Sequence, residues 1–546
     1  WENHRDDIRC EYFQMDTEEE LLQHFLELYQ KSPPHILTGW NIEHFDIPYL
    51  INRLSRLFGQ KETKRLSPFG WIKERTVTQK YFKESVVYDI YGVATMDYMR
   101  LYKKFAVGGI AESYRLNHIA QVELGERKIS YEEAGSLFKL ARTDHQKFID
   151  YNIKDVELVQ RIDDKLKLID LGITMAYDAK VNFVDVFGTV NIWDAIIYDH
   201  LRKEDIVGPT KTPHSKERTF SGAYVKEPIS GFHDWVVSFD LNSLYPHLIM
   251  QYNISPETIV GHNSDVDIDN LLTKEADLSD IHKKGYTVTP NGTIYRKDKR
   301  GFLPTLMEKI YADRVVYKKK MLDAQQRKEE GEDTDNEISK YLNIQMAKKI
   351  QLNSAYGALG NQWFRYYDLR NSEAVTTGGQ LAIRWIEKAL NDYLNKYLDT
   401  TDYDYVVAID TDSVYLRLGK FVDKFIKSDN KNKICDLIDK VTKEVFEPYI
   451  SKSYEELADY VNAYEQKMFM GREVIADKAV WTAKKRYALN VYDSEGVRYK
   501  KPKMKVIGME IVKSSTPANV RDKLKEAVNL MLTGNERQLQ DLVHKY

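Results

Sequence analysis

Residues Tyr405–Leu418 read YVVAIDTDSVYLRL, with β-branched residues on both sides of Asp410, Thr411 and Asp412. The pattern predicts two strands joined by a tight turn, with the aspartates at its tip. Because side chains alternate along a strand, residues i and i+2 share a face, and we expect Asp410 and Asp412 side by side. Two adjacent carboxylates repel each other unless a cation lies between them. An ordinary polar hairpin tip is the alternative.

A second aspartate follows another apolar run. WVVSF (235–239) precedes DLNSLYP, Asp240 to Pro246, which predicts a strand and then a turn. If the two strands are neighbours, Asp240 and Asp412 can share two Mg²⁺ ions, which prefer oxygen ligands and clamp the oxygens of a phosphoryl transfer. N–H groups of the turn can face phosphates. Tyr245 would then lie under a sugar, where its ring leaves no room for a 2′-hydroxyl.

A helical stretch that begins near Leu303 is interrupted by the polar GEDTDN (331–336) and then resumes, which predicts an antiparallel helical hairpin. Spacings of three and four residues place polar groups on one face of each helix: Arg314 and Lys318 on the first, and Lys349, Asn353 and Tyr356 on the second. A triphosphate needs several cations in fixed positions, and arginine can grip its oxygens bidentately. A solvated basic face is the alternative.

The segment 478–505 contains nine Lys or Arg residues and two acids, interleaved with aromatics. Such a segment can neutralise DNA phosphates, with a salt dependence of roughly −0.9 per contact. A solvated surface is the alternative. The net charge of −3 does not by itself indicate a nucleic-acid binder, so only local basic surfaces bear on that class.

The bulk composition indicates a large globular protein. A chain of 546 residues with 42% hydrophobic residues can form several cores. Its 2 cysteines, Cys10 and Cys435, provide neither a disulfide framework nor a zinc spacing, which favours a reducing cytoplasm. No apolar run approaches the length of about 18 residues that a membrane span needs. Because the chain begins at Trp1 and ends inside a helical pattern, we expect a fragment of a longer chain; proteolytic maturation is the alternative.

Together these stretches resemble the family B DNA polymerases, most closely the replicative polymerases of T-even-like bacteriophages, over essentially the whole chain. DLNSLYP is similar to the family's motif A, KKIQLNSAYGALGN (348–361) to motif B, and DTDSVY (410–415) to motif C. WTAKKRYALNVYD (481–493) is similar to the basic segment near the primer terminus. The resemblance implies a multidomain α/β fold. This fold has a partial ribonuclease H-like 3′-5′ exonuclease domain and a right-hand polymerase. The polymerase has a palm (antiparallel sheet plus helices), helical-hairpin fingers and a truncated thumb.

The resemblance also implies domain boundaries. They are an exonuclease domain at 1–167 without its N-terminal part, a connecting segment at 168–211, a palm at 212–300 and 362–509, fingers at 301–361, and the start of a thumb at 510–546. The implied activity is that of a DNA-directed DNA polymerase, which adds dNMP to a primer 3′-hydroxyl in viral DNA replication with two Mg²⁺ ions. Implied partners are primer-template DNA, dNTPs and, for the intact parent, a sliding clamp and other replisome proteins. A monomer in the cytoplasm of a bacterial host, with no membrane partner, is expected.

Functional residues follow from the matched motifs. The implied catalytic residues of the polymerase are Asp240, Asp410, Asp412 and Lys349, and the implied metal ligands are Asp240, Asp412 and the carbonyl of Leu241. The implied dNTP contacts are Ser243, Leu244, Tyr245, Arg314, Lys318, Lys349 and Asn353. The implied DNA contacts are Tyr356, Lys484, Lys485 and Arg486, and Glu473 is a further acid near the site. Ile409 departs from the family, which usually has glycine there, and a β-branched residue can alter the backbone at a tight hairpin.

Two further motifs resemble those of the family's exonuclease. NIEHFDIPYL (41–50) matches the second exonuclease motif, with Asp46 as a catalytic metal ligand. YNIKDVELV (151–159) matches the third, where Tyr151 would orient a water beside the metal ligand Asp155 on the same helical face. The first motif, Asp-x-Glu on a strand, is missing upstream of Asp46. The only upstream match to the pattern, Asp16-Thr17-Glu18, opens an acidic helix and has no strand before it. We therefore expect little or no 3′-5′ exonuclease activity from this chain and proofreading by an intact parent.

The sequence leaves two alternatives to an active DNA-directed DNA polymerase. A catalytically silent DNA-binding fragment would have the same motifs, with the thumb and the first exonuclease motif absent. A reverse transcriptase is disfavoured, because those enzymes have two adjacent aspartates in the palm hairpin, whereas Thr411 separates them here.

Overall fold

A computed structural model describes residues 1–2, 10–78, 84–106, 111–215, 219–513 and 516–545. The chain divides into two compact units, Trp1–Ile192 with Tyr317–Ala347, and Trp193–Val316 with Lys348–Tyr546. The predicted domain boundaries are finer than this division and stay predictions.

The first unit is mainly helical. Its helices are Glu18–Lys31, Asp46–Phe58, Gln60–Thr63, Tyr98–Phe105, Leu116–Leu124, Leu137–Thr143, His145–Leu166, Leu168–Ala179 and the start of Thr189–Lys203, with 3-10 turns at Lys64–Leu66, Glu132–Ala134 and Phe183–Phe187. Its strands are β1 (Ile36–Gly39), β2 (Ile72–Thr78), β3 (Glu84–Ile90) and β4 (Ala94–Asp97). Strands β1 and β4 pair in parallel, and β2 and β3 form an antiparallel ribbon.

The first helix begins as the sequence predicts. The Thr17 hydroxyl accepts a hydrogen bond from the Glu20 N–H at 3.2 Å, which caps the helix, and Glu18 pairs with Arg53. Asp16-Thr17-Glu18 is therefore a helix start and not a strand. The apolar faces of this helix and of Asp46–Phe58 meet in a core around Leu26, Ile47, Ile51 and Leu54.

The second unit is built on a large antiparallel sheet. The remaining strands of the chain are β5 (Gly231–Leu241), β6 (Ile259–His262), β7 (Tyr286–Val288), β8 (Thr293–Arg296), β9 (Val406–Asp410), β10 (Ser413–Arg417), β11 (Met470–Ala483), β12 (Arg486–Ser494) and β13 (Val497–Ile507). Six of them form one sheet in the order β13-β12-β11-β5-β10-β9, with every neighbouring pair antiparallel. Strands β6, β8 and β7 form a smaller sheet in that order. The strands predicted around 235–239 and 405–418 are confirmed.

Helices surround these sheets. They are the rest of Thr189–Lys203, Leu244–Gln251, Ile268–Thr273, Ser279–Lys284, the bases of Phe302–Glu329 and Asp335–Leu359, Leu369–Leu398, Gly419–Phe425, Lys431–Val441, Glu447–Tyr460, Ala518–Thr533 and Glu536–Lys545. Short turns occur at Pro256–Thr258 and Glu510–Val512, and a π-helical turn at Thr442–Phe446. Among the described residues, none of the helices combines the length and apolar character that crossing a bilayer requires.

Two glycines bring the helix Leu244–Gln251, which follows Asp240, close to the long buried helix Leu369–Leu398. A Cβ on Gly379 would lie 3.3 Å from a methyl of Leu244, and one on Gly378 would lie 3.3 Å from a methyl of Leu248. Larger side chains would push the two helices apart. The glycine pair therefore helps to fix the turn between β5 and this helix.

The predicted helical hairpin is confirmed. Its helices are Phe302–Glu329 and Asp335–Leu359, and the second begins slightly earlier than the sequence pattern suggests. Near the tip, the buried Thr334 hydroxyl donates to the Ala324 carbonyl at 2.7 Å. Near the base, Lys348 pairs with Asp313 at 3.4 Å. Contacts at both ends show that the helices run antiparallel.

Candidate functional site

The two aspartates that the sequence singled out lie at one end of neighbouring strands. Strand β5 pairs with β10 in a register that places Asp240 opposite Ser413. The N–H of Leu241 donates to the Asp412 carbonyl at 2.9 Å, which ties the end of β5 to the turn. The two strands are therefore neighbours, which is the condition under which Asp240 and Asp412 could share cations.

A tight turn, and not the strand alternation expected from the sequence, brings Asp410 and Asp412 together. Asp410 ends β9 and pairs with Ser413, so Thr411 and Asp412 form a two-residue turn outside the strands. Thr411 has a left-handed backbone, with φ at 65°, and the Asp412 N–H donates to the Asp410 carbonyl at 2.7 Å. The explanation by strand alternation was therefore wrong, and the turn supplies the proximity.

Asp240 and Asp412, which we call the acid pair, are both destabilised in their ionised forms. Burial, followed by the charges of Asp412 and Glu473, raises the pKa of Asp240 to about 7. Burial also raises the pKa of Asp412, and the charges of Asp410 and Glu473 add to the effect. A cation between the two carboxylates would relieve this repulsion.

The donor set fits a hard divalent cation. Carboxylate oxygens, with a backbone carbonyl such as that of Leu241, are the ligands that Mg²⁺ prefers, and Mg²⁺ usually completes its shell with water and substrate phosphates. Within the described ranges, no group of three or more His, Cys, Asp or Glu side chains is arranged to hold a metal ion. The site therefore consists of an acid pair and not of a complete protein cage.

The turn after Asp240 has a special backbone. Ser243 has φ at 50° and precedes the helix Leu244–Gln251. The N–H of Leu241 is already used, and that of Asn242 donates to the Phe469 carbonyl at 3.1 Å. The N–H groups of Leu244 and Tyr245 lie in the first helical turn, where helix geometry provides no partner. These two groups can therefore face an anion.

Aromatic rings and cations border the same turn. The rings of Tyr245 and Tyr356 lie 4.8 Å apart, and burial, then the neighbouring Tyr356 and Asp412, raises the pKa of Tyr245 to about 12. Arg314 is half-buried and donates to the Ser243 hydroxyl at 3.3 Å. Lys349 and Asn353 are exposed on the helix that contains Tyr356.

Two lysines of the helical hairpin differ in their environment. Lys318 lies one turn beyond Arg314 on the helix Phe302–Glu329 and is exposed. Lys348, next to the predicted Lys349, is buried and paired with Asp313. The exposed Lys349 is thus the better placed of the two adjacent lysines to meet a ligand.

The predicted DNA-contacting cations cluster at the turn between β11 and β12, and each has a carboxylate partner. Lys485 Nζ lies 3.0 Å from Asp410, Lys484 lies 3.5 Å from Glu227, and Arg486 pairs with Glu510 at 2.5 Å. Lys485 itself has a left-handed backbone, with φ at 58°. Phosphates would have to compete with these acids.

Ile409 is accommodated in a regular strand. It is buried and pairs with Val414 across the β9–β10 ladder. Its carbonyl accepts the N–H of Lys226 at 3.2 Å. The departure from glycine therefore leaves the hairpin register intact around Asp410.

The predicted exonuclease residues lie together in the first unit. Asp46, Tyr151 and Asp155 line one open cleft, with Asp46 at the start of its helix and the other two on His145–Leu166. Desolvation, with a further contribution from the charge of Asp97, raises the pKa of Asp46. Asp155 Oδ1 is buried and has no hydrogen-bond partner within the described part of the chain. An orphaned carboxylate oxygen of this kind fits a metal ligand.

Two residues close to these exonuclease residues were not identified from the sequence. Lys128 Nζ lies 2.6 Å from Asp155 Oδ2 and 3.3 Å from the Tyr151 hydroxyl. It lies in a loop, and no spacing pattern identifies it. Asp97 is buried and accepts the N–H groups of Asn41 at 3.2 Å and Glu43 at 3.0 Å, which fixes the segment leading to Asp46. An aspartate between a strand and a helix is the signal that could have identified it.

Comparisons with known proteins match most of the chain. A family model described as DNA polymerase family B matches residues 192–546, and one described as DNA polymerase family B, exonuclease domain, matches residues 2–119. The DNA-directed DNA polymerase of Escherichia phage RB69 is 39% identical over 96% of this chain and 63% of its own length. That of Enterobacteria phage T4 is 38% identical over 98% of this chain and 64% of its own length. The DNA polymerase delta catalytic subunit of Candida albicans is 28% identical over 76% of this chain and 39% of its own length. The chain thus spans somewhat less than two thirds of these phage relatives.

Proposed function

Because the chain belongs to DNA polymerase family B, we propose that its second unit catalyses template-directed addition of dNMP to a primer 3′-hydroxyl. The observation that carries the proposal is the acid pair Asp240 and Asp412, at one end of adjacent antiparallel strands. Their raised pKa values indicate carboxylates that need a cation. Viral DNA replication is the corresponding process.

The architecture fits a right-hand polymerase. The six-stranded sheet with its helices would be the palm, at 212–300 and 362–509. The helical hairpin at 301–361 would be the fingers, and residues 510–546 would begin the thumb. The first unit would contain a ribonuclease H-like exonuclease domain at 1–167, and 168–211 would connect the two.

The acid pair would hold two Mg²⁺ ions, together with the Leu241 carbonyl. Bound Mg²⁺ would neutralise the pair, polarise the phosphate oxygens and lower the pKa of the primer hydroxyl. Asp410, held by Lys485, would keep the turn and its negative charge beside the pair. The protein's part is to keep both carboxylates on one side of the reacting phosphate.

The turn and the hairpin would hold the nucleotide. The N–H groups of Leu244 and Tyr245 and the side chains of Ser243 and Arg314 would meet the triphosphate, because they converge beside Asp240. Further contacts would come from the helical hairpin, from Lys318, Lys349 and Asn353. Tyr245 would lie under the sugar and exclude a 2′-hydroxyl.

DNA would be gripped next to the acid pair. Tyr356, beside Tyr245, would face the nascent base pair, and Lys484, Lys485 and Arg486 would approach the primer. Binding would release these cations from their carboxylates, at a cost that phosphate contacts offset. For the whole protein, a sliding clamp, other replisome proteins, a monomeric state and the cytoplasm of a bacterial host stay predictions.

A second activity is favoured by the cleft in the first unit. The orphaned oxygen of Asp155, beside Asp46 and Tyr151, supports part of a 3′-5′ exonuclease site that would use a metal-bound water. Because the first exonuclease motif is missing, we still expect little or no activity from this chain, and proofreading by an intact parent. Lys128 would have to leave Asp155 when a cation binds. Release of labelled 3′-terminal nucleotide from single-stranded DNA, compared with Asp155→Ala, measures this activity.

Primer extension tests the polymerase proposal. A primed DNA template with Mg²⁺ and dNTPs should be extended by the parent and not by Asp412→Ala. If neither extends while both still bind the DNA, the chain is a silent DNA-binding fragment. Efficient extension on an RNA template would favour a reverse transcriptase.

A further inference from the structure

We propose that Lys505 is a positioning residue that holds Glu473 away from the Asp240–Asp412 pair, so that two aspartates and not three carboxylates bind the divalent cations. The inference rests on the proposed function, because it concerns the same cation site. Lys505 lies on β13, at the edge of the six-stranded sheet.

A backbone irregularity aims Glu473 at the site. The register between β11 and β5 shifts between Arg472 and Val474, so Glu473 has no partner on β5 and forms a bulge. Gly471, two residues earlier, lies opposite Asp240. Bulges next to functional sites redirect a side chain, and this one lies at the level of the acid pair.

Both oxygens of the Glu473 carboxylate are engaged. Lys505 Nζ donates to Oε1 at 2.8 Å, and the hydroxyl of the buried Ser238 donates to Oε2 at 3.1 Å. The Ser238 oxygen in turn accepts the N–H of Val474 at 3.2 Å, which fixes the hydroxyl. A carboxylate held at both oxygens is not free to turn towards a cation.

Glu473 is nevertheless close enough to matter. Its charge is among the causes that raise the pKa of both Asp240 and Asp412, while Lys505 acts in the opposite direction on Asp240. In the described part of the chain, no three acidic side chains are arranged as a metal site. Glu473 is thus a nearby carboxylate that Lys505 and Ser238 keep out of the ligand set.

Removal of Lys505 should change how the protein binds a cation. Without its ammonium group, Glu473 retains one partner and can turn towards the pair. A third carboxylate adds negative charge and oxygen donors, and both tighten divalent binding. The loss of an ammonium charge near the site also strengthens cation binding. This charge effect must be separated from the effect of releasing Glu473.

Direct titration with Mn²⁺, in the absence of DNA, makes this separation. Free Mn²⁺ is counted by electron paramagnetic resonance for the parent, Lys505→Met, Lys505→Arg, Glu473→Gln and the double variant Lys505→Met/Glu473→Gln. We expect Lys505→Met to lower the Kd by about threefold to tenfold, Lys505→Arg to keep the parent value, and the double variant to match Glu473→Gln. Thermal unfolding of each variant confirms that it is folded.

Lys503→Met is the matched control. It removes the same charge from the same strand, but Lys503 Nζ lies 4.2 Å from the centre of the Tyr499 ring and is exposed. Its Mn²⁺ affinity should equal that of the parent. An unchanged or weaker affinity in Lys505→Met overturns the proposal. So does tightening that persists in the double variant, because it would then be a simple charge effect.

Asp412→Asn reports on the proposed function separately. If this variant binds Mn²⁺ as the parent does, the acid pair is not the cation site, and the role of Lys505 fails with it. If Asp412→Asn loses binding while Lys505→Met shows no tightening, the site stands and only the role of Lys505 is wrong.

Discussion

Arg314 donates a hydrogen bond to the Ser243 hydroxyl at 3.3 Å, which joins the first helix of the hairpin to the turn after Asp240. Burial lowers the pKa of the guanidinium, and its Nε is buried without a hydrogen-bond partner among the described residues. An incoming triphosphate would offer charged acceptors in place of one neutral hydroxyl. Under the proposed function, this contact is the position of the guanidinium before a triphosphate binds.

Replacement of Arg314 by alanine should weaken dNTP binding. Hydrogen bonds to charged groups are worth about 1.5–3 kcal/mol, so the KM for dNTP should rise by roughly 10- to 150-fold. Single-nucleotide primer extension over a range of dNTP concentrations measures it. Ser243→Ala removes a neutral hydroxyl and not a charge from the proposed triphosphate site, so the KM should rise less, by no more than about 10-fold. An Arg314→Ala variant with the parent KM would exclude a phosphate contact.

Tyr245 should control the choice of sugar. Tyr245→Ala opens space beside Tyr356, so discrimination against rNTP should fall by about 10- to 200-fold, the range for a missing steric contact in a pocket. Competing incorporation of dATP and ATP opposite one template base measures the ratio. Tyr245→Phe retains the ring and should retain discrimination, whereas an equal loss in both variants would point to the hydroxyl.

Asp240 should make the metal-free protein less stable as the pH rises. Its folded-state pKa, about 7, is raised above the ordinary value, so its contribution is complete below about pH 4 and is lost as the pH rises through about 7. Asn cannot ionise, and the Tm of Asp240→Asn relative to the parent should therefore increase between pH 5 and pH 8 in EDTA. Differential scanning calorimetry measures both.

Asp277→Asn is a control of opposite sign for that experiment. Hydrogen bonds from Ser279 lower the pKa of Asp277, so its contribution to stability is present above the ordinary pKa and lost in acid. The Tm of this variant relative to the parent should not increase between pH 5 and pH 8. A flat difference for Asp240→Asn would mean that the acid pair is not electrostatically strained.

Gly508 should be essential for the turn that contains Lys485. Its φ is 64°, and a Cβ there would lie 1.9 Å from the Lys485 carbonyl oxygen. Gly508→Ala should lower the free energy of unfolding by about 1–3 kcal/mol, or displace the turn and weaken DNA binding. Denaturant unfolding and DNA titration distinguish these results. Gly496 has a φ of 87°, but the space around a Cβ there is open. Gly496→Ala should therefore lower the free energy of unfolding only by the cost of the backbone strain. Equal losses would show that the close approach at Gly508 is unimportant.

Local patterns predicted the parts of the site that depend on neighbouring residues in the chain. Alternation and β-branching located the strands that end at Asp240 and Asp410, and helical spacing placed Lys349 and Tyr356 on one helix. These features follow from strand and helix periods, which the sequence contains directly.

Contacts between distant segments had no such signal. The pairing of Lys505 with Glu473 requires the order β13-β12-β11-β5 and a bulge, neither of which has a local pattern. Lys128 reaches Asp155 from a loop, where periodicity gives no guidance. Asp412 lies beside Asp410 as expected, but turn geometry and not strand alternation brings it there.

The central claim is that Asp240 and Asp412 jointly hold the divalent cations of a polymerase. Anomalous diffraction from crystals grown with Mn²⁺, primer-template DNA and an unreactive dNTP analogue tests it most directly. The account predicts manganese peaks within about 2.0–2.3 Å of oxygens from both carboxylates, next to the triphosphate. Peaks that contact neither aspartate, with the nucleotide bound elsewhere, would contradict it.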